Sequence, residues 1–482
     1  MSDEKEALVE PRLLRGFRDY LPEQVIARQK MIATIKAVYE RYGFVPLETP
    51  TLEYTETLLG KYGEEGTKQI FRFVDPESND VAMRFDLTVP LARVVAQYRD
   101  LPRPFRRYQV GPVWRFDKPD PGRFREFIQV DLDTVGSASM VADAEILAGI
   151  CDVMEALDIG RFRVRCSNRK ILNSLIAFAG IEPERASQVF RVLDKLDRIG
   201  RQGVWEELTT GRVDASGDVI PGLEFDVEAV ARIDEFLNLP GGRRAEVLDA
   251  VSRLFNEVPG AEDGINELRS IDEYLTALGI SEEKVVFDVS LARGLDYYTG
   301  PIFETILLDA PEFGSIFGGG RYDGLVERFL GEKIPATGGS IGVDRLLAAL
   351  LKLDVVELKP STAQVLVTVM DRSRLVDYQR VTRELRLTGI NAELYLGEEK
   401  SIRKQLQYAD RQKIPVAVII GPDEFSCGEV SIKDLMEGAR RQHEVSERSE
   451  WLKARFGQVT VPREKMLEVI GEILDQELTV TK

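Results

Sequence analysis

Residues 291–308, LARGLDYYTGPIFETILL, set a charged and aromatic cluster between two apolar runs. The preceding run, Lys284 to Leu291, carries Val285, Val286, Phe287 and Val289, and Glu304 to Leu308 follows, so the pattern predicts strand, tight bend, strand. Gly294 and Gly300 permit the bends, because glycine tolerates backbone angles that other residues do not. Arg293 offers a planar, permanently charged fork suited to phosphate or carboxylate, and Tyr297 and Tyr298 offer apolar walls with a hydroxyl tip. Taken alone, an arginine beside two tyrosines is equally consistent with a stacked surface cluster.

Upstream, Val25, Ile32, Ile35 and Tyr39 recur at helical spacing from Pro22 to Tyr42, and Gly43 ends the helix before the extended run FVPLETPTLE. Short apolar or alternating runs from Ile70 to Asp86 and from Phe105 to Thr134, separated by Pro, Gly and Asp, predict an antiparallel sheet. A long helix is expected from Met140 to Leu157. Residues 168–275 change character: LDKLDRIG, FDVEAVARIDEFLNL and AVSRLFNEV are amphipathic with acidic faces, and predict a helical insertion. Strand character resumes at Lys284 and closes with FGGGRYDG and the helix-forming GVDRLLAALLKL. After the linker LKPSTA, strands and helices alternate (QVLVTVM, INAELYL and PVAVIIG are the strands), which predicts a small α/β domain with a largely parallel sheet. The expected parts are 1–167, 168–275, 276–358 and 362–482.

A chain of 482 residues accommodates roughly three domains. No apolar run approaches the roughly 18 residues of a membrane span, and Met1 to Arg12 lacks a signal-peptide core, so a cytoplasmic protein is expected. Cys151, Cys166 and Cys427 are unclustered, which fits a reducing compartment and indicates neither disulfide nor metal. The single histidine, His443, lies in a charged segment, so histidine-based acid/base chemistry and metal binding are not expected. A formal charge of −17 argues against the whole surface being a nucleic-acid footprint, while leaving room for a local basic stripe. Arg103, Arg106 and Arg107 form one candidate, and Arg403, Lys404, Arg411 and Lys413 another; each by itself reads as a solvated face.

Four clusters offer groups for a phosphate-bearing substrate and a small cationic one. In AMRFDLTVPLAR, Asp86 and Thr88 suit an amine or ring nitrogen at a strand end. In VGPVWRFDKPDPGRFREFIQVDLD, Arg115 is expected on a strand and residues 116–124 in a loop. Gln129 and Asp133 then lie at same-face positions of the returning strand. The Arg293 segment and the run Gly318 to Arg345 complete the set. No GxxxxGK[ST] pattern occurs, so the glycines are expected to serve close backbone packing under a substrate.

At these residues the chain resembles the class II aminoacyl-tRNA synthetases, and specifically the histidyl-tRNA synthetase family. RGLDYYTGPIFE is similar to that family's histidine-binding signature. ETPTLE with Pro50 resembles motif 1, PVWRFDKPDPGRFREFIQVDLD motif 2, and GGSIGVDRLLAAL motif 3; LGEEKSIRKQLQYADRQKIPVAVIIG resembles the anticodon-binding domain. The resemblance implies an α+β fold, in which an antiparallel-sheet catalytic core is split by a helical insertion and followed by a C-terminal α/β anticodon-binding domain. It implies ATP-dependent ligation of L-histidine to histidine tRNA through a histidyl-adenylate, with Mg²⁺ neutralising pyrophosphate, by a homodimer. Arg115, Arg293 and Arg345 are then expected at ATP, with Phe127 and Arg345 sandwiching adenine and Arg293 the main catalytic group. Asp86, Thr88, Gln129, Asp133 and Tyr298 are expected to contact histidine, with Tyr297 and Tyr322 shaping its pocket. Lys118, Arg123, Arg403, Lys404, Arg411 and Lys413 are the expected tRNA contacts. Three alternatives are a non-charging paralogue that regulates histidine biosynthesis, a sensor of uncharged tRNA, and an acidic globular protein whose motifs are incidental. The motif 2 loop departs from many relatives in carrying Phe116, Asp117, Asp120 and Pro121. Its form PDPGRFREF resembles the bacterial branch whose histidine tRNA lacks the extra 5′ guanylate.

Overall fold

In this computed structural model the described residues are 9–59, 68–118, 122–214, 217–293, 298–436 and 457–480. Gly294, Tyr297, Asp120, Pro121 and His443 lie outside them. Two compact units result: Met1–Asp19 with Arg28–Val356, and Tyr20–Ala27 with Glu357–Lys482.

The first unit is built on an eight-stranded sheet: β1 (Val45–Pro46), β2 (Phe105–Trp114), β3 (Glu126–Val135), β4 (Phe162–Asn168), β5 (Val285–Phe287), β6 (Pro301–Leu307), β7 (Ser315–Arg321) and β8 (Ala336–Gly342). Their spatial order is β1-β2-β3-β8-β7-β6-β4-β5. The inner pairs are antiparallel, and the outermost pairs, β1 with β2 and β4 with β5, are parallel. The helix Met140–Ala156 starts where the Ser139 side chain accepts from the Val141 N–H at 3.3 Å, and it buries Ile146, Leu147 and Ile150 completely. The antiparallel run expected at 70–86 is a separate small sheet, in which Asp80–Met83 pairs with both Leu52–Tyr54 and Arg72–Val74.

One local expectation is corrected. The runs flanking the Arg293 segment are strands, but they are not neighbours: β4 lies between them, parallel to β5 and antiparallel to β6. An interior strand needs partners on both edges to satisfy its N–H and C=O groups, and β4, more than a hundred residues upstream of β5, takes that place. Strand propensity is local, whereas the choice of partner is not.

Between β4 and β5 the chain forms the helices Arg169–Phe178, Ala186–Leu193, Leu196–Leu208, Val227–Leu237, Arg244–Leu254 and Ala261–Ala277. A small hairpin pairs Gly211–Val213 with Val219–Pro221. Buried Phe190, Val230, Ile233, Leu268 and Ile271 contribute to its interior, and Phe236 stacks on Phe255 with ring centroids 5.4 Å apart.

The second unit has a five-stranded sheet of β9 (Val365–Val367), β10 (Ala392–Leu394), β11 (Val416–Ile419), β12 (Glu429–Asp434) and β13 (Gln458–Pro462), ordered β10-β9-β11-β12-β13. β9 is parallel to β10 and β11, as the alternation with helices Leu375–Leu387 and Ile402–Arg411 predicts, but β12 and β13 are antiparallel. The sheet is therefore mixed, because the link from Ile419 to Glu429 is shorter than the dozen or so residues that a parallel crossover takes. Gln405 is fully buried and exchanges two 2.8 Å hydrogen bonds with the Val369 backbone, which ties the helix to the end of β9.

Candidate active site

Arg84 organises one wall. Buried to 4% exposure, it donates to the carbonyls of Pro112 (2.8 Å) and Thr49 (2.7 Å), joining the ETP segment to β2. That sets the next residues: the Phe85 carbonyl accepts from Arg115 Nε at 3.0 Å. Asp86 Oδ1 accepts the N–H groups of Thr88 and Val89 at 3.1 and 3.0 Å, opening the helix Thr88–Gln97. Asp86 thus stands at a helix start rather than a strand end. Arg115 lies one residue past β2, although its N–H still bonds the Arg125 carbonyl across the hairpin at 2.9 Å.

Two adjoining cavities of about 250 and 260 Å³ open over the sheet. The first is basic: Arg115, Arg123, Arg293 and Arg345 line it with Phe127, and Asp117 is its acid. The Arg115 guanidinium stacks 4.4 Å from the Phe85 ring centre and 5.3 Å from that of Phe127. Arg345 projects from the helix Val343–Lys352 and donates to the Ser315 carbonyl at 2.7 Å. Burial, reinforced by the charges of Arg123, Arg293 and Arg115, brings its pKa down to about 10. The helix is pinned by Asp344, which pairs with Arg28 at 3.0 Å and accepts the Ile128 N–H at 2.7 Å.

The second cavity is acidic. Asp86, Asp131 and Asp133 line it with Thr88, Gln129, Tyr298 and Tyr322. Gln129 Nε2 donates to Ser340 Oγ at 2.7 Å. Asp133 is held on two sides, by the Tyr322 hydroxyl and by Arg107 at 2.9 Å. Burial raises the Asp133 and Asp131 carboxyls, each against the pull of Arg107, and takes Asp131 up to about 7. Asp131 was missed by the sequence reading, though it was legible there: it sits between Gln129 and Asp133 at the same strand parity. Arg107, one of the three arginines considered as a basic stripe, is instead completely buried as counter-ion to this cluster. Arg106 pairs with Glu145 at 2.8 Å and stacks on Phe44, so it too is committed within the fold.

The cavities share Arg115, Gln129, Arg293, Gly318 and Ser340. Arg293 crosses the wall between them because Gly318 leaves space: a Cβ there would come within 2.7 Å of the Arg293 Cζ. Among the tRNA candidates, Arg123 pairs with Asp117 at 3.1 Å while Lys118 is exposed. In the second unit Arg403 and Arg411 are exposed, Lys404 pairs with Glu399 at 2.6 Å, and Lys413 pairs with Glu357 at 3.1 Å. Two of these six thus belong to the first unit and four to the second.

A largely antiparallel sheet carrying an arginine-lined cavity beside an acidic one, followed in the chain by a separate α/β unit, is the arrangement that the resemblance to the class II aminoacyl-tRNA synthetases implies. The family model for histidyl-tRNA synthetase matches residues 16–346, and that for an anticodon-binding domain matches 364–455. The chain is 46% identical to the histidine–tRNA ligase of Paracoccus denitrificans over 95% of its own length and 97% of that protein's. It is 41% identical to that of Brucella abortus, over 99% and 98%. The crystal structure of histidyl-tRNA synthetase from Nostoc sp. PCC 7120 superposes with a TM-score of 0.79 at 33% identity, covering 96% of this chain and 100% of that one. The chain belongs to the histidyl-tRNA synthetase family and is an enzyme.

Proposed function

We propose that Arg293 and Arg115 carry the adenylation step of the reaction that this enzyme catalyses, the ATP-dependent joining of L-histidine to its tRNA through a histidyl-adenylate. The observation that carries this assignment is the division of charge: Asp86, Asp131 and Asp133 line one cavity, Arg123 and Arg345 the other, and Arg115 and Arg293 stand on the wall they share. Histidine brings an ammonium group and imidazole N–H donors to Asp86, Asp131, Asp133 and Gln129, with Thr88, Tyr298 and Tyr322 around them; Tyr297 is assigned to the same pocket by family likeness. A substrate without those donors leaves buried acceptors unpaired. The histidine carboxylate then lies at Arg293, and one of its oxygens attacks the α-phosphorus as the bond to pyrophosphate breaks. Arg293 and Arg115 stabilise the charge that develops there. Phe127 and Arg345 flank the adenine. Mg²⁺ enters with the nucleotide as part of the substrate and neutralises its pyrophosphate portion.

Lys118 and Arg123 are assigned to the tRNA acceptor end, and Arg403, Lys404, Arg411 and Lys413 to the anticodon region, with the catalytic and anticodon-binding parts divided at 358–362. A homodimer is proposed in which the small sheet supplies an apolar face: Leu52, Tyr54 and Phe73, at same-face positions, are 43%, 57% and 45% exposed. Three free cysteines support a reducing, cytoplasmic setting. A non-charging regulator or tRNA sensor is not favoured, since near-full-length relatives at 41–46% identity are histidine–tRNA ligases. Histidine-dependent ATP–pyrophosphate exchange by the purified protein tests the assignment, and no exchange with folded protein refutes it.

A further inference from the structure

Glu304 on β6 is in register with Gly318 of β7 on one side and with Arg165 of β4 on the other, so the three share one cross-strand row. Arg293 fills the space above Gly318, and its Nη1 donates to Glu304 Oε1 and to Ser315 Oγ. The Glu304 side chain is only 15% exposed, and its second oxygen lies 3.6 Å from Arg165 Nη1. Arg165 is anchored by Asp288 at 2.7 Å and by Asp197. Asp197 belongs to the first turn of the insertion helix Leu196–Leu208.

We propose that Glu304 is a positioning residue for Arg293, and that the helical insertion sets it through Asp197 and Arg165. The inference rests on the catalytic role assigned to Arg293 above. An arginine has many rotamers, and a fork gripped at one corner keeps its remaining N–H groups aimed at the wall between the cavities. Glu304 and Ser315 take Nη1, and among the described residues no hydrogen bond to Nε or Nη2 competes with substrate. Arg165 holds the far side of Glu304 and prevents a buried carboxylate from turning wholly toward Arg293. Of the acids around Arg165, Asp197 is the one contributed by the insertion, so any shift of that helix reaches Arg293 in three contacts, through Arg165 and Glu304.

The test is ATP–pyrophosphate exchange with the full chain, separating kcat from KM and following Tm. Glu304→Gln is expected to lower kcat at least tenfold with the KM values for histidine and ATP within about threefold of wild type. Asp197→Asn is expected to lower kcat about threefold, and Asp197→Glu to restore it. The double variant Asp197→Asn/Glu304→Gln should be no slower than Glu304→Gln alone, because both act through one chain of contacts. Multiplying effects in the double variant, or a raised KM at unchanged kcat, overturns the proposal. Arg293→Ala is measured alongside: wild-type exchange by it removes the role of Arg293 itself, whereas its loss together with wild-type rates for Glu304→Gln and Asp197→Asn removes only the coupling. Should Glu304→Gln not fold, the Asp197 pair, on an exposed side chain, decides the matter.

Discussion

Gly338 faces Asp133 across the β3–β8 ladder, and a Cβ at position 338 would collide with the Asp133 carboxylate. The missing side chain on one strand is what lets a carboxylate on its neighbour lie flat over the sheet and meet both Arg107 and the Tyr322 hydroxyl. Gly338→Ala should therefore raise the KM for histidine by about tenfold or more while changing the KM for ATP little. Steady-state exchange at varied histidine and ATP checks this; equal effects on both substrates would contradict it.

Arg293→Ala should lose at least about two orders of magnitude in adenylation, since it removes a preorganised charge from the transition state. Arg293→Lys should rescue little. A lysine ammonium can occupy the position of one guanidinium nitrogen, but it cannot hold Glu304 and substrate with separate N–H groups of a rigid plane. Single-turnover adenylate formation separates this chemical effect from product release.

Asp131 gives a pH signature. Its folded-state pKa is raised by burial to about 7, so its contribution to stability is fully present below the ordinary carboxylate range, near 3.8, and is lost as pH rises through about 7. Asp131→Asn should accordingly have a higher Tm than wild type at pH 8 in the absence of substrate, with the gap closing toward pH 4. The same variant should raise the KM for histidine, because a cation-attracting acceptor is gone. A Tm difference independent of pH would refute the linkage.

Removal of residues 362–482 should leave adenylation measurable and greatly weaken aminoacylation, because both cavities are lined wholly by residues before 346. Comparison of pyrophosphate exchange with tRNA charging by the truncated chain provides the measurement. Unchanged charging would remove the anticodon role from the second unit.

Asp117 pairs with Arg123 and leaves Lys118 as an exposed cation of the described motif 2 loop. Little positive charge remains there to hold an additional 5′ phosphate. Paired tRNA transcripts with and without the extra 5′ guanylate should be charged with kcat/KM values within about tenfold, or roughly 1.4 kcal/mol of transition-state binding. A larger loss on removing the guanylate would mean that the loop reads it.

Periodicity along the chain was enough for the helices Pro22–Arg41, Met140–Ala156 and Val343–Lys352, for the hairpin of β2 and β3, and for the change to helices after residue 168. Each depends on spacings of a few residues, which a single sequence displays directly. The candidate residues Arg115, Gln129, Asp133 and Arg293 were legible for a related reason: charged and amide groups beside or on strands stand out against apolar surroundings, whereas Arg345, on a helix, was a candidate through the family resemblance alone. Asp131 was available by the same parity and was passed over.

What the tertiary structure alone decided is which distant segments meet. β4 enters between β5 and β6, Arg107 turns inward as the counter-ion of Asp133, and Asp197 of the insertion reaches Arg165, whose neighbour Glu304 holds Arg293. The glycines of the run from Gly318 were expected to serve close packing, but which groups those at 318 and 338 make room for, Arg293 and Asp133, is set by the sheet. Local pattern determines whether a segment is strand or helix through backbone preference and the period of its side chains. Pairing partners, burial of charge and close approach are set by sheet order, where contacts are made by residues far apart in the chain and their energies depend on neighbours that no local window contains.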